Sequence, residues 1–164
     1  MNRWIRRAVA PALALMCSVV LAQAPAPKGA DAGKSTPTAG STEAQIAAVD
    51  GQRWVHLAGR VTDDELLDLY RRAWIAASAS TREGWGMTLT EAAACGTPAV
   101  ATDIAGHADA IDVGRSGLLA STDDDLAALV VDVMTDDERR ATLQRGALQR
   151  AAELTWEACA LANF

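Results

Sequence analysis

Cysteine and histidine are scarce in the 164-residue sequence, which has three of the first and two of the second. Cys17, Cys95 and Cys159 show no C-x-x-C spacing, so the pattern predicts neither a disulfide framework nor a zinc-binding pair. His56 and His107 are isolated from each other and lack a carboxylate-rich ligand pattern. We therefore expect no metal and no other cofactor, and we assign the thiols to apolar packing.

Lysine is absent after Lys34, and the balance of charge is positive only near the beginning of the chain. Residues 1–50 carry five Lys/Arg against three acidic residues, a balance of +2, so the overall charge of −6 leaves −8 for residues 51–164. Nucleic-acid binding requires a basic surface that neutralises phosphates, and this acidic portion has no stripe of Lys or Arg. Nucleic acid is therefore excluded as a partner.

Long hydrophobic runs are also missing, apart from residues 8–22. Arginines at positions 3, 6 and 7 precede this run and Val20-Leu21-Ala22 offers small residues at a cleavage position, which is the pattern of a signal peptide. The run is short for a membrane span. Residues 23–50 are rich in Ala, Pro, Gly, Ser and Thr without an apolar period, which predicts a disordered, flexible linker.

The remaining segment, residues 51–164, fits one domain of ordinary size, and the 50% hydrophobic content of the chain is enough for a core. Strand and helix patterns alternate along it. Three Thr-x-x-Glu capping boxes are predicted, at Thr62–Glu65, Thr88–Glu91 and Thr135–Glu138. The predicted strands are Trp54–Ala58, Trp74–Ala77, Ala99–Thr102 and Gly117–Ala120, and the predicted helices follow Thr62, Thr88, Thr135 and Thr155, with others at Asp109–Asp112 and Asp123–Met134. This order predicts an α/β fold with a parallel sheet flanked by helices, which binds ligands at the carboxyl ends of its strands.

The segment between Glu83 and Glu91 is the strongest candidate site. Gly84 and Gly86 flank Trp85, so the backbone there can bend and approach a ligand closely. The helix predicted after Thr88 directs its positive end at this loop, which favours a phosphate, while the two carboxylates can accept hydrogen bonds from sugar hydroxyls. The combination predicts a site for a nucleotide-diphosphate sugar. Two alternatives stay open, because Glu91 could serve only its own helix cap and Trp85 could be simple packing.

Glu83, seven intervening residues, Glu91 and the following Ala92-Ala-Ala-Cys95-Gly-Thr-Pro98-Ala-Val resemble the E-x7-E segment of retaining GT-B glycosyltransferases of the group 1 (glycogen-synthase-like) family. The resemblance covers about residues 54–160. It implies a partial Rossmann-like, GT-B C-terminal domain that takes part in metal-free hexosyl transfer. In the family the first glutamate lies beside the donor sugar, which makes Glu83 the expected catalytic residue. The residues expected to bind the donor are Gly84, Trp85, Gly86, Met87, Thr88 and Glu91, with Gly59, Arg60 and Val61 near the base.

The chain departs from this family pattern in its extent. GT-B enzymes place the active site between two Rossmann domains, and 164 residues can supply only part of the second one. Two upstream strands and the Arg and Lys that clamp the diphosphate have no match here. We therefore expect a truncated donor domain that needs a separate N-terminal GT-B domain as a partner. Missing strands also predict an exposed sheet edge, with self-association or marginal stability.

The signal-like start conflicts with the cytoplasmic nucleotide sugars that the family uses. Three interpretations stay open: a true export signal, a membrane-anchoring start, or a reading frame that begins inside a longer gene, which the missing clamp and strands favour. Localisation is therefore cytoplasmic by resemblance, or exported if the signal is real. The rival to the enzyme hypothesis is a non-catalytic, exported or degenerate Rossmann-like module with a binding or structural role.

Overall fold

The computed structural model describes residues 42–53 and 55–155 of the chain. Within these residues, three strands form one parallel sheet in the order β1-β2-β3. The strands are β1 (Ala76–Ser78), β2 (Ala99–Thr102) and β3 (Gly117–Ala120). The helices are α1 (Thr42–Ala48), α2 (Asp63–Arg72), α3 (Met87–Ala94), α4 (Ala105–Ala110), α5 (Asp123–Thr135) and α6 (Asp137–Glu153), with a 3₁₀ turn at Gly51–Arg53. The α/β fold with a helix-flanked parallel sheet is confirmed.

The two faces of the sheet are packed differently because successive strand residues point to opposite sides. One face is aliphatic and joins the strands to α5 and α6 through Ile75, Ala77, Val100, Leu118, Ala120, Leu126, Ala127, Val130, Val133 and Leu143. The other face is rich in alanine and packs on α2 and α3 through Tyr70, Ala76, Leu89, Ala92, Ala99, Ala101 and Ile111. Small side chains on this second face let α3 lie close to the sheet, so the start of α3 stands near the carboxyl ends of the strands.

The strand predictions hold for β2 and β3 and fail at the beginning of the domain. Residues 55–58 form no strand, because the N–H of Val55 donates to the carbonyl oxygen of Gly51 at 2.7 Å and closes a turn. Trp54 lies outside the described residues. The strand predicted at Trp74–Ala77 starts later, at Ala76, which pairs with Ala99, the first residue of β2. The Trp74 ring stacks instead against the Arg140 guanidinium, 4.4 Å from the ring centroid.

Of the three predicted capping boxes, only the one at Thr62 is present. The Thr62 N–H donates to Oε2 of Glu65 at 2.8 Å, and the Glu65 N–H donates back to Oγ1 of Thr62 at 3.3 Å. The hydrogen bond from the Thr62 backbone, followed by that from its side chain, lowers the pKa of the Glu65 carboxyl. This carboxylate therefore starts α2 as the sequence predicts.

The other two capping boxes are wrong. Helix α3 begins at Met87 with Gly86 as N-cap and no side-chain cap, so neither Thr88 nor Glu91 caps it. Helix α5 continues through Thr135, whose hydroxyl donates to the carbonyl oxygen of Val131 at 2.7 Å. The cap of α6 is instead the Asp136 side chain, which accepts a hydrogen bond from the N–H of Arg139.

Two further differences concern segments without a strong apolar period. The helical turn predicted at Asp109–Asp112 begins and ends earlier, as helix α4 at Ala105–Ala110. Asp112 lies after this helix, and its carbonyl oxygen accepts hydrogen bonds in the turn that precedes β3. The linker predicted for residues 23–50 is wrong at Thr42–Ala48, which is helical because Ile46 is buried against Gly51.

Some predictions fall on residues that the structure does not describe. The signal-like segment at residues 1–22, the linker up to residue 41 and the last helix predicted after Thr155 all lie outside the described residues. In the described portion, no helix has the length and apolarity needed to cross a membrane.

Candidate functional site

The loop that follows β1 carries Glu83 at the carboxyl edge of the sheet, as the fold predicts. Glu83 is half-buried, and the Ser80 hydroxyl donates to its Oε1 at 2.8 Å. The Thr102 hydroxyl, at the end of β2, donates in turn to the carbonyl oxygen of Ser80 at 2.5 Å. Glu83 is therefore connected through Ser80 to the neighbouring strand rather than only to its own loop.

The first turn of α4 packs directly against this loop. The N–H of Gly86 donates to the carbonyl oxygen of Gly106 at 3.0 Å. A Cβ atom at position 106 would lie only 2.6 Å from the carbonyl oxygen of Glu83, closer than real Cβ contacts come. Glycine at 106 is therefore required for the Glu83 backbone to approach α4.

His107 follows Gly106 and is 1% exposed. Its Nδ1 lies 2.8 Å from the Thr102 carbonyl oxygen and 3.2 Å from the Thr102 hydroxyl, and its Nε2 lies 3.1 Å from the Ser78 hydroxyl. A carbonyl oxygen can only accept, so the Nδ1 atom carries a proton, and Nε2 forms the hydrogen bond with the Ser78 hydroxyl. His107 thus links the carboxyl ends of β1 and β2.

The sequence pattern predicted no role for His107, because the residue is isolated and lacks a carboxylate-rich ligand pattern. The residue lies in α4, and its partners Ser78 and Thr102 are 29 and 5 residues away. Both partners occupy the last position of a predicted or observed strand. A histidine beside a glycine, shortly after such a strand, was the available signal, but the pairing with Ser78 is visible only in three dimensions.

The backbone N–H groups around the start of α3 are only partly available to a ligand. The N–H of Gly86 is used by Gly106, and the N–H of Met87 donates to the carbonyl oxygen of Trp85 at 2.8 Å. Within residues 42–53 and 55–155, no hydrogen bond occupies the N–H of Gly84, Trp85 or Thr88. The free donors at this helix start are therefore these three N–H groups, a narrower set than the sequence predicted.

The Trp85 and Met87 side chains flank the loop and remain accessible, with 38% and 58% of their surface exposed. The indole Nε1–H of Trp85 donates to Oγ1 of Thr90 at 3.3 Å, and the Thr90 hydroxyl donates to the carbonyl oxygen of Gly86 at 3.2 Å. The indole is thus fixed at its polar edge while one part of the ring faces solvent. This exposure places Trp85 outside the two core clusters.

Glu91 lies one helical turn further along α3 with its side chain exposed. The hydroxyl of Tyr70, from α2, donates to its Oε2 at 3.1 Å. Burial raises the pKa of the Tyr70 phenol well above its usual value, and the charge and hydrogen bond of Glu91 raise it further. Tyr70 therefore remains a donor at physiological pH and orients the Glu91 carboxylate.

The remaining predicted residues are not joined to this arrangement. Gly59, Arg60 and Val61 form an irregular segment, in which Gly59 has a φ of 63°. No hydrogen bond or ion pair of the described residues connects this segment to the Glu83 loop. The same described portion contains no group of three or more His, Cys, Asp or Glu side chains that could hold a metal ion.

Known proteins share both the sequence and the fold of this chain. The family model for glycosyl transferases group 1 matches residues 32–150. D-inositol 3-phosphate glycosyltransferase of Corynebacterium jeikeium is 41% identical over 99 residues, which are 59% of this chain and 24% of that protein. The corresponding enzyme of Stackebrandtia nassauensis is 37% identical over 122 residues, covering 65% of this chain and 28% of that protein. This chain thus spans about a quarter of the length of these relatives.

Two solved structures show the similarity in fold. Sucrose-phosphate synthase from Thermosynechococcus elongatus superimposes with a TM-score of 0.70 at 24% identity, over 96% of this chain and 41% of that one. Anabaena HepE, in complex with UDP and glucose, gives a TM-score of 0.64 at 23% identity, over 75% of this chain and 36% of that one. Since the family model matches most of the sequence, including both glutamates, the chain belongs to the group 1 glycosyl transferases.

Proposed function

We propose that this chain is the donor-binding part of a retaining group 1 glycosyltransferase, which binds a nucleotide-diphosphate sugar and transfers a hexose in a cleft completed by another domain. The observation that carries the proposal is the placement of Glu83 and Glu91 on either side of the start of α3, at the carboxyl edge of a parallel sheet. The relatives that match this chain carry the names of transferases, and a similar structure contains UDP and glucose.

In this proposal the diphosphate of the donor lies at the start of α3. The unoccupied N–H groups of Gly84, Trp85 and Thr88 lie at the start of α3, where the positive end of the helix dipole favours an anion. Fixed donors of this kind stabilise the negative charge that develops on the departing diphosphate without reorganising during the reaction. The N–H groups of Gly86 and Met87 are not available to the diphosphate, because they donate to carbonyl oxygens of the protein. Their hydrogen bonds fix the shape of the loop instead.

Glu91 binds the ribose hydroxyls of the donor. Its Oε2 already accepts from Tyr70, and no described residue donates to Oε1, which leaves an acceptor for the ribose. Because Glu91 takes no part in a helix cap, its carboxylate has the capacity that the capping alternative would have removed. Hydrogen bonds to a charged acceptor are about twice as strong as neutral ones, which makes this contact a main source of nucleotide affinity.

Glu83 lies beside the donor sugar and accepts hydrogen bonds from its hydroxyls, with Ser80 holding the carboxylate. The exposed parts of Trp85 and Met87 form an apolar border to the same site. An exposed indole whose N–H is already satisfied suits stacking on a sugar face, so we assign Trp85 to ligand contact rather than core packing. Gly59, Arg60 and Val61 remain the proposed neighbours of the nucleotide base.

The non-catalytic alternative is not favoured, because both glutamates of the motif are present and the matching proteins are transferases. Localisation is tested separately. N-terminal sequencing of the protein from its host decides it, and an unprocessed chain would agree with the enzyme proposal. A mature start near Gln23 would instead indicate export away from nucleotide sugars and would revive the alternative.

Isothermal titration with UDP and UDP-glucose, followed by other nucleotide sugars, tests the proposal. We expect binding at millimolar or lower concentration. Glu138→Ala, on an exposed helix start remote from Glu83 and Glu91 in the fold, is the control and should bind as the unchanged chain does. If no nucleoside diphosphate or nucleotide sugar binds at millimolar concentration, the proposal fails.

A radiolabelled-donor assay tests the need for a second domain. We expect no measurable transfer by the 164-residue chain alone, because placing donor and acceptor in one water-poor cleft contributes about 7–11 kcal/mol to such reactions. Adding a separately expressed N-terminal GT-B domain should restore transfer. Transfer by the chain alone would contradict the proposal that the cleft is incomplete.

Self-association remains part of this proposal. Strand β1 pairs with β2 on one side, and no other described strand lies on its second side. Gel filtration should therefore show a species larger than a monomer. A monomer with a cooperative thermal transition would contradict this expectation.

A further inference from the structure

The buried imidazole of His107 is a titratable group beside the site that the proposed function leaves without a task. We propose that His107 is a positioning residue, which fixes the Glu83 loop against the ends of β1 and β2 and so determines the affinity for the sugar part of the donor. The positioning of the Glu83 loop by His107 is independent of the proposed function, whereas its effect on sugar affinity rests on that function.

A continuous path of hydrogen bonds connects His107 to Glu83. The Nδ1–H of His107 donates to the Thr102 carbonyl oxygen at 2.8 Å. The Thr102 hydroxyl donates to the Ser80 carbonyl oxygen at 2.5 Å, and the Ser80 hydroxyl donates to Oε1 of Glu83 at 2.8 Å. Thr102 and Ser80 each take part in two of these bonds, one through the carbonyl oxygen and one through the hydroxyl, so the three bonds together tie His107 and the end of β2 to the Glu83 loop.

The other ring nitrogen gives His107 a second fixed point. Nε2 lies within hydrogen-bond distance of the Ser78 hydroxyl, at 3.1 Å, and Ser78 is the last residue of β1, two residues before Ser80. The imidazole therefore bridges the two strand ends between which the Glu83 loop departs. An aliphatic side chain of similar size would fill the same space but would leave buried polar groups of Ser78 and Thr102 without these bonds, at a cost in free energy.

Backbone packing reinforces the same loop from the neighbouring residue. Gly106, directly before His107, presses its Cα against the Glu83 backbone and accepts the N–H of Gly86. Helix α4 has only six residues, and its position depends on anchors at its ends. By holding α4 to β1 and β2, His107 also holds Gly106 at the place where the loop contacts it.

A purely structural histidine would affect the stability of the fold without a preference for one ligand. A positioning histidine would affect the order of the Glu83 loop and the sugar-bearing ligand. The chain offers a matched pair of variants to separate these roles, because Thr97 and Thr102 both donate a hydroxyl hydrogen to a backbone carbonyl oxygen at 2.5 Å. The Thr97 hydroxyl donates to the Tyr70 carbonyl oxygen just before the beginning of β2, at the end of the sheet opposite to Thr102.

The experiment uses the full chain with His107→Leu, His107→Asn, Thr102→Val and the control Thr97→Val. The first readout is amide hydrogen exchange of Gly86, the residue of the Glu83 loop whose N–H donates to the Gly106 carbonyl oxygen. It needs no ligand. We expect His107→Leu and Thr102→Val to accelerate exchange of this amide by about fivefold, the equivalent of one hydrogen bond. His107→Asn, which can still donate to the Thr102 carbonyl oxygen, should recover much of the protection, and Thr97→Val should leave the exchange of Gly86 unchanged.

The second readout is titration with UDP and UDP-glucose. His107→Leu and Thr102→Val should weaken binding of UDP-glucose about fivefold or more and binding of UDP by clearly less. The lost bonds lead to Glu83, whereas UDP is also held by Glu91 and by the N–H of Thr88 on α3. If His107→Leu does not fold, Thr102→Val and Ser80→Ala carry the same test.

The outcomes separate the two proposals. Unchanged exchange of the Gly86 amide, or equal acceleration by Thr97→Val, overturns the positioning role. Equal weakening of UDP and UDP-glucose also overturns it, because this result indicates a general structural effect. If the unchanged chain binds neither ligand while the exchange results follow expectation, the proposed function fails and the loop-positioning role of His107 stands.

Discussion

The two glutamates of the site are held in place by different means. Glu83 lies in an irregular loop, and a path of three hydrogen bonds through Ser80 and Thr102 connects it to a buried histidine. Glu91 lies on a helix and receives one hydrogen bond, from Tyr70. A helix already fixes the direction of its side chains, whereas a loop has to be fixed from outside. Glu83 should therefore be far more sensitive than Glu91 to changes elsewhere in the chain.

The largest expected effect on the fold and on ligand binding comes from Gly106→Ala, which adds one carbon atom beside the Glu83 backbone. Gly106→Ala places a Cβ against the Glu83 carbonyl oxygen, and relieving this overlap should cost about 1–3 kcal/mol and displace the loop. We expect a lower midpoint of thermal unfolding and loss of UDP-glucose binding beyond that of UDP. Circular dichroism melting and calorimetric titration measure the two effects.

Gly84→Ala is the matched control within the same loop. No atom lies within 4 Å of a Cβ built at Gly84, and its φ is not among the positive values. This variant should melt like the unchanged chain. If Gly84→Ala is as damaging as Gly106→Ala, the close approach of α4 is not what holds Glu83.

The next prediction separates the two carboxylates by ligand. Glu91→Ala should weaken UDP and UDP-glucose alike, because a hydrogen bond to a charged group contributes about 1.5–3 kcal/mol, equivalent to a loss of roughly tenfold or more. Glu83→Ala should weaken only UDP-glucose. Titration of both variants with both ligands measures this difference, and equal losses from both variants would contradict the division of roles.

The sequence could predict the local elements of this arrangement but not the contacts between distant residues. Helix and strand periods predicted β2, β3 and the sheet that places Glu83 at its carboxyl edge, since these depend on local patterns of apolar residues. The pairing of Glu91 with Tyr70 joins residues 21 positions apart, and that of His107 with Ser78 joins residues 29 apart. No local pattern specifies such pairs, because they depend on how α2, α3 and α4 pack on the sheet.

The capping prediction for Glu91 failed for a related reason. The sequence at Thr88 has the Thr-x-x-Glu spacing of a capping box, as the sequence at Thr62 does. At Thr62 the helix begins at the next residue, so the box forms. Near Thr88, the N–H of Gly86 donates to the carbonyl oxygen of Gly106, and the helix begins at Met87, before Thr88. The Glu91 carboxylate accepts a hydrogen bond from Tyr70 instead of capping the helix. A tertiary contact therefore overrides an equally good local signal.

A pair of threonine variants tests that difference with a smaller effect. Thr62→Ala removes a working cap and should reduce the free energy of unfolding by about 1 kcal/mol. Thr88→Ala removes no cap and should leave both stability and nucleotide affinity nearly unchanged. Urea denaturation followed by circular dichroism measures both. A loss of stability in Thr88→Ala as large as that in Thr62→Ala would show that Glu91 is spent on the helix start.

The smallest expected effect concerns the one hydrogen bond that Glu91 receives. Tyr70→Phe keeps the buried ring and removes the hydroxyl, so nucleotide affinity should fall only about threefold, the value of a single neutral donor. UDP and UDP-glucose should be affected alike, as they are by Glu91→Ala. A selective loss of UDP-glucose would place Tyr70 on the Glu83 side of the site and would contradict the separation.

The pH dependence of the same residue gives an independent measurement. Tyr70 is the only tyrosine of the sequence, so the ultraviolet absorbance of tyrosinate reports it alone. Burial and then Glu91 raise its pKa in the folded state, so the folded chain keeps the phenol proton at pH values where the unfolded chain has lost it. The contribution of Tyr70 to stability is therefore complete below about pH 10, the usual pKa of tyrosine, and decreases as the pH rises above this value.

We expect the folded chain to form tyrosinate only at a pH clearly above that of the urea-unfolded chain. We also expect Tyr70→Phe to lose less stability at alkaline pH than the unchanged chain does. Coincident titrations of the folded and unfolded chains would show that Tyr70 is neither buried nor bonded to Glu91.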